Sequence, residues 1–223
     1  MSIHQAQGKP IGSEGIQSDE VFDFANPLVS RTIRDLCRSD DLGDNLASWY
    51  CFVRDSIRYD PYAIELEARA LSASRTLNRG SGHCIHKSVL FVAGLRALGV
   101  PARLGLARVR NHLATEKLER RLGTDVLVPH GYAAHWNGKR WVKSTPVFNR
   151  ELCERLGTQP LAWSAEEDRL FQPTDANGSQ FMEYLEDYGL FAEVPLDFLK
   201  VRLQAEYPHC FTASGQWSLP PEG

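Results

Sequence analysis

The chain has 223 residues, of which 43% are hydrophobic, with 25 Lys and Arg against 28 Asp and Glu and a net charge of −3. This is enough to bury a full core in one domain with appendages, and the lack of a basic excess or an acidic block argues against a nucleic-acid surface or a charged disordered tail. Five cysteines (Cys37, Cys51, Cys84, Cys153, Cys210) form no CxxC pair and are odd in number, which fits a reducing cytoplasm, and no run of about eighteen apolar residues predicts a membrane span.

In chain order, Met1 to Gln17 is polar and Gly-rich, has no signal-peptide core and reads as a loose arm. Asn26-Pro27 is an N-cap followed by proline at the first helical position, and Leu28, Ile33 and Leu36 carry a first helix to Arg38. After the polar break Ser39–Asp44, Leu46 to Ile57 predicts a second helix, ended by Asp60 before Pro61. Ile64 to Leu77 is rich in Ala, Leu and Glu and reads as a short helix. Ile85 to Leu98 is apolar on nearly every side, so a buried helix is expected, entered through Ser81-Gly82 and closed by Gly99 and Pro101. Pro101 to Val109 suits a strand, and Asn111 to Gly123 is a charged insertion with a solvated helix around Glu116–Arg121.

Cys84 falls in the first turn of the buried helix, where unpaired N–H groups and the helix dipole favour the nucleophilic thiolate. A cysteine in an apolar run is more often packing, so the case rests on a histidine with suitable surroundings. Downstream, Asn137-Gly138 between aromatic-flanked runs predicts a two-residue hairpin turn. Counting outward pairs Trp136 with Lys139, Ala134 with Trp141 and His130 with Thr145, so His130, Tyr132, Ala134, Trp136, Trp141, Lys143 and Thr145 share a face and His135 turns the other way. A cysteine nucleophile needs a base to take its proton and a third group to orient that base, which makes His130 the candidate and Thr145 its partner. Metal binding by His83, Cys84, His86 and His130 is disfavoured because the spacing is too tight for common zinc frameworks.

Phe52–Tyr59, Gly82-His83-Cys84, Leu95–Arg103, His130 and Trp141–Asn149 together resemble the transglutaminase-like superfamily over about residues 46 to 149. The resemblance implies an α+β, papain-like domain with the cysteine helix packed on an antiparallel sheet that carries a histidine and an aspartate. Here Thr145 stands where the family has Asp before Pro; its hydroxyl accepts a hydrogen bond but supplies no negative charge for an imidazolium. Asp125, Asn149 and Glu151 are alternative sources of the missing group. Beyond Asn149 the resemblance stops. Glu151–Leu156 reads as a short helix, Gly157–Gly178 as loop, and Ser179–Tyr188 and Leu196–Glu206 as amphipathic helices. Phe181, Tyr184, Tyr188, Phe191 and Phe198 read as core.

The expected organisation is an arm over 1–20, a transglutaminase-like core over 21–150, a helical addition to the same domain over 151–212 and a frayed tail over 213–223. The expected chemistry is acyl transfer through a Cys84 thioester on a peptide, amide or ester, with His130 as base, Thr145 as orienting group, and Asn78, His83, Tyr132 and Trp141 as candidates for substrate or oxyanion contact. No metal, cofactor, nucleic acid or membrane is expected. The alternative is a domain of the same type that has lost catalysis and binds a ligand.

Overall fold

A computed structural model describes residues 17–112, 116–170 and 182–220. Helix α1 (Pro27–Leu36) is capped by the Asn26 side chain, which accepts from Leu28 N–H at 3.0 Å. Helix α2 (Leu42–Ser56) starts earlier than its apolar pattern, because Asp41 caps it through Asp44 N–H at 2.9 Å. Strand β1 (Arg58–Tyr59) follows, then α3 (Ala68–Leu71) and α4 (Ala73–Arg79). The single helix expected over Ile64–Leu77 is broken at Ser72, whose extended backbone ends α3 and whose hydroxyl caps α4. Residues 61–66 are left as an open loop.

Strand β2 (Ser81–Gly82) pairs in parallel with β1. It leads into α5 (Cys84–Ala97), with His83 rather than Ser81 as the N-cap. Every residue from Cys84 to Arg96 is buried. At Gly94 a Cβ would stand 1.9 Å from Trp49 Nε1, so only glycine lets α2 and α5 approach this closely, and that indole N–H donates to Phe91 O at 3.1 Å.

Strand β3 (Ala102–Asn111), α6 (Glu116–Leu122), β4 (Val126–Trp136), β5 (Trp141–Ser144), α7 (Arg150–Arg155), β6 (Met182–Phe191) and α8 (Leu196–Glu206) complete the order. Four antiparallel strands run β5-β4-β3-β6, and α5 packs across β4 and β3. This is the expected α+β arrangement of a buried cysteine helix on an antiparallel sheet.

Three expectations need correction. Trp136 pairs with Trp141 and Ala134 with Lys143, so the hairpin loop has four residues and the register is shifted by two places. Asn137 explains why: its Oδ1 accepts from both Lys139 N–H and Arg140 N–H, and its own N–H reaches Arg140 O at 3.1 Å. A shift of two preserves the faces. Lys143 lies over the Tyr132 ring, Trp136 packs on Trp141, and His135 turns the other way onto Trp163.

Second, the described part of Ser179–Tyr188 is strand, not helix. Residues 182–191 pair along the outer edge of β3, with an Arg110–Glu183 ion pair at 2.9 Å across the strands. Sheet pairing to a distant strand outweighs local helical pattern here. Ser179 to Phe181 lie outside the described residues, as does the arm up to residue 16. Third, the described tail is tied down rather than frayed, although residues 213–216 are exposed and 221–223 lie outside the described residues. Phe211 bridges to Trp217, whose ring meets Tyr207 and Phe211, and Arg121 Nε donates to Pro220 O at 2.6 Å.

Candidate active site

Cys84 is the first residue of α5, with its sulfur buried at the contact between that helix and β4. Two features hold the helix start in place. His83 Nδ1 accepts from Ile85 N–H at 3.0 Å, satisfying one of the orphan donors of the first turn. Gly131 lies directly against the same turn, where a Cβ would stand 2.8 Å from Ile85 Cα. The Gly131 N–H donates to Cys84 Sγ at 3.3 Å. The sulfur therefore meets the main chain of the residue that follows His130.

The electrostatics differ from the expectation of a resting thiolate. Burial pushes the Cys84 thiol up to about 11, outweighing the N–H groups of Gly131, Ile85 and Cys84 that favour the charged form. Burial pushes His130 down to about 4. At neutral pH the two groups are a thiol and a neutral imidazole. His83 is also held neutral, well below the usual imidazole range, with burial first and His86 second among the causes. Because its Nδ1 is the acceptor for Ile85, its proton resides on Nε2.

The remaining candidates separate. His130 is fully buried on β4 opposite Ala107 of β3, one residue from the Cys84 contact. Thr145 is not its cross-strand partner: β5 ends at Ser144 opposite Ala133, and Thr145 N–H donates to Arg169 O at 2.9 Å. The Thr145 hydroxyl is buried and makes no hydrogen bond among the described residues. Asn78 is exposed on α4 beside Arg75 and Asn26, away from the sulfur. Tyr132 turns its hydroxyl to Asp187 at 2.7 Å, and Trp141 lies under the Arg103 guanidinium, so neither lines the cleft over Cys84. Only His83 of that group does.

None of the alternative acids takes the place of the family's aspartate by contact. Asp125 pairs with Arg110 at 3.3 Å, and Glu151 is exposed at the start of α7. Asn149 is a structural clamp: its side chain accepts from Tyr59 N–H at 2.7 Å and donates to Arg54 O and Ile57 O, so it joins the end of α2 to β1. Buried Lys87 donates to the same two carbonyls at 2.8 and 2.6 Å. Among the described residues, no group of three His, Cys, Asp or Glu is placed to hold a metal ion.

Over the sulfur lies a narrow cleft of about 50 Å³ with almost wholly apolar walls. Loop 61–66 forms one side, α6 another, residues 127–129 of β4 a third, and Leu203 and Tyr207 close the end. The charged insertion thus turns Leu118 and Leu122 inward and overhangs the cleft. Glu65 stands at the rim, held by Arg79 at 2.5 Å and by His86 Nε2 at 3.2 Å. The sequence reading missed Gly131, Tyr59, Glu65 and Tyr207. A glycine inside a strand pattern, directly after the candidate base, is the signal that marks Gly131 as a point of close backbone approach.

Residues 32–146, just over half of the chain, match the transglutaminase-like superfamily. Among solved structures, a Cytophaga hutchinsonii protein described provisionally as a cysteine protease is similar at 15% identity and a TM-score of 0.45. The likeness covers 78% of this chain and 50% of that protein, so this chain spans about half its length. No match was found among curated proteins. The family match falls on the segment that holds both the Cys84 helix start and the His130 strand, and the chain is a member of the transglutaminase-like superfamily.

Proposed function

We propose that the protein is a cysteine-dependent acyl-transfer enzyme acting on a peptide, amide or ester through a Cys84 thioester. The observation that carries this reading is the seat of the Cys84 sulfur. It lies at a helix N-terminus, on the floor of a cleft, against the main chain next to a buried neutral histidine. His130 takes the thiol proton as the sulfur attacks the carbonyl, so charge develops only during the reaction. The S–C bond forms, the leaving group departs with a proton returned by His130, and water or an amine then resolves the thioester. We assign the Cys84 N–H and the His83 Nε2–H as donors to the developing oxyanion, because both residues form the helix start that lines the cleft. No metal or cofactor is required by these steps.

Supplying the third group is where this chain departs from its family. Burial holds His130 down, and Thr145, where the family has Asp, brings no charge to its imidazolium, so turnover is slow. The same two observations favour a second reading, in which the cleft binds without reacting. Incubation with p-nitrophenyl acetate separates the two. Catalysis predicts an acetyl adduct on Cys84, nitrophenolate release beyond one equivalent, and loss of both in Cys84→Ala. Equal release by wild type and Cys84→Ala, with no adduct, refutes catalysis and leaves binding.

A further inference from the structure

We propose that the acyl group delivered to Cys84 carries a short, uncharged aliphatic chain, which fills the slot between loop 61–66, α6 and α8. This inference rests on the reading of Cys84 as nucleophile. Cys84 lines the slot, and Leu66, Leu118, Leu122, Leu127 and Leu203 are among the apolar side chains around it. Tyr207 also lines it, but its hydroxyl accepts from Val128 N–H at 2.9 Å and donates to Val126 O at 2.6 Å, so only the ring remains for a ligand. The Glu65 carboxylate is occupied by Arg79 and His86 at the rim. Tyr59 and His83 also line the slot, beside Cys84, and are polar but neutral. A charged chain placed here would lose its water and find no free counter-charge among the lining residues.

Size narrows the class further. A cleft of about 50 Å³ covers roughly four water-sized groups, enough for a propyl or isobutyl chain, whereas a fatty acyl tail would project beyond it. The walls are tied in place. Tyr62 of the loop lies under Lys117 and Arg121 of α6, and Arg121 is bound in turn to Pro220 O at 2.6 Å. The charged insertion, and the C-terminal addition that lies beyond the family match, thereby acquire a role in setting the length of the acyl group.

The test uses the full chain and four p-nitrophenyl esters: acetate, butyrate, octanoate and monosuccinate. In each reaction the thioester S–C bond forms, the C–O bond to nitrophenolate breaks, and the thiol proton passes to His130. Acylation of Cys84 is followed by peptide mass mapping and nitrophenolate release, with each rate divided by that ester's hydroxide rate. Two extra buried methylenes predict that butyrate reacts roughly tenfold faster than acetate. Octanoate and succinate are expected at or below the acetate rate. Leu122→Trp, or Leu118→Phe should the first variant misfold, lowers the butyrate-to-acetate ratio towards one. Acylation of Cys84 at equal acetate and butyrate rates, or fastest by octanoate or succinate, overturns the slot assignment and leaves the nucleophile in place. Failure of all four esters to acylate Cys84 overturns the nucleophile, and the slot assignment with it.

Discussion

Gly131→Ala probes the contact that joins the helix to the strand. The added Cβ would lie 2.8 Å from Ile85 Cα, 2.9 Å from its Cγ1 and 3.0 Å from its N, and two of these three atoms are main chain that cannot rotate away. The clash has to be relieved by moving the start of α5 off β4. Overpacking of this kind costs about 1–3 kcal/mol of stability. The same movement lengthens the 3.3 Å bond from Gly131 N–H to Cys84 Sγ. A hydrogen bond to a charged group contributes about 1.5–3 kcal/mol, so its loss raises the thiol pKa by one unit or more. Urea denaturation reads the first effect. Iodoacetamide labelling at pH 9 reads the second, with exposed Cys51 as internal standard. The expected result is a lower midpoint and at least a tenfold slower alkylation of Cys84 relative to Cys51. A Gly131→Ala protein with wild-type midpoint and wild-type Cys84 labelling would refute the argument that this contact seats the sulfur.

Other outcomes follow from the same geometry. Gly94→Ala drives a methyl into the Trp49 indole, which already donates to Phe91 O, and is expected to cost more than about 3 kcal/mol, read as loss of cooperative thermal unfolding. Asn149→Ala removes the clamp on Arg54 O, Ile57 O and Tyr59 N–H and is expected to lower urea stability by about 2–3 kcal/mol; a neutral change would mean that Lys87 alone holds those carbonyls. His130 and His86 are held down to about 4 and about 3 by burial, so between those values and the ordinary histidine pKa the unfolded chain binds more protons. Their contribution is complete above about pH 6.5 and is lost as pH falls, at about 1.4 kcal/mol per pH unit for each histidine. Urea midpoints at pH 7.5 and 5.5 measure this, and His130→Phe should flatten the slope; a pH-independent midpoint contradicts it.

Much of the site could be read from residue types alone, and the limits have physical causes. Cys84 at a helix start and His130 on a strand are legible because a uniformly apolar run with a polar entry, and an Asn-Gly turn between aromatic runs, are strong local signals. The turn length was not legible. Whether Asn137 caps a two- or a four-residue loop depends on which N–H groups its side chain reaches, and that shift removes the His130–Thr145 opposition. The β6 strand was hidden because its partner, β3, lies about eighty positions earlier in the chain, and pairing of that kind leaves no local pattern. The thiol's ionisation was misjudged for a related reason. The helix start favours the thiolate, but the burial that opposes it comes from loop 61–66, α6 and Tyr207, segments brought over Cys84 only by the fold.

Acylation of Cys84 by p-nitrophenyl butyrate, compared between wild type and His130→Ala from pH 6 to 8, tests the central claim most directly. A neutral imidazole as base for a neutral thiol predicts an adduct on Cys84, a rate nearly level over that pH range, and a loss of at least about a hundredfold in His130→Ala. Labelling of Cys84 that is no faster than that of Cys51, or that is unchanged in His130→Ala, would contradict the account.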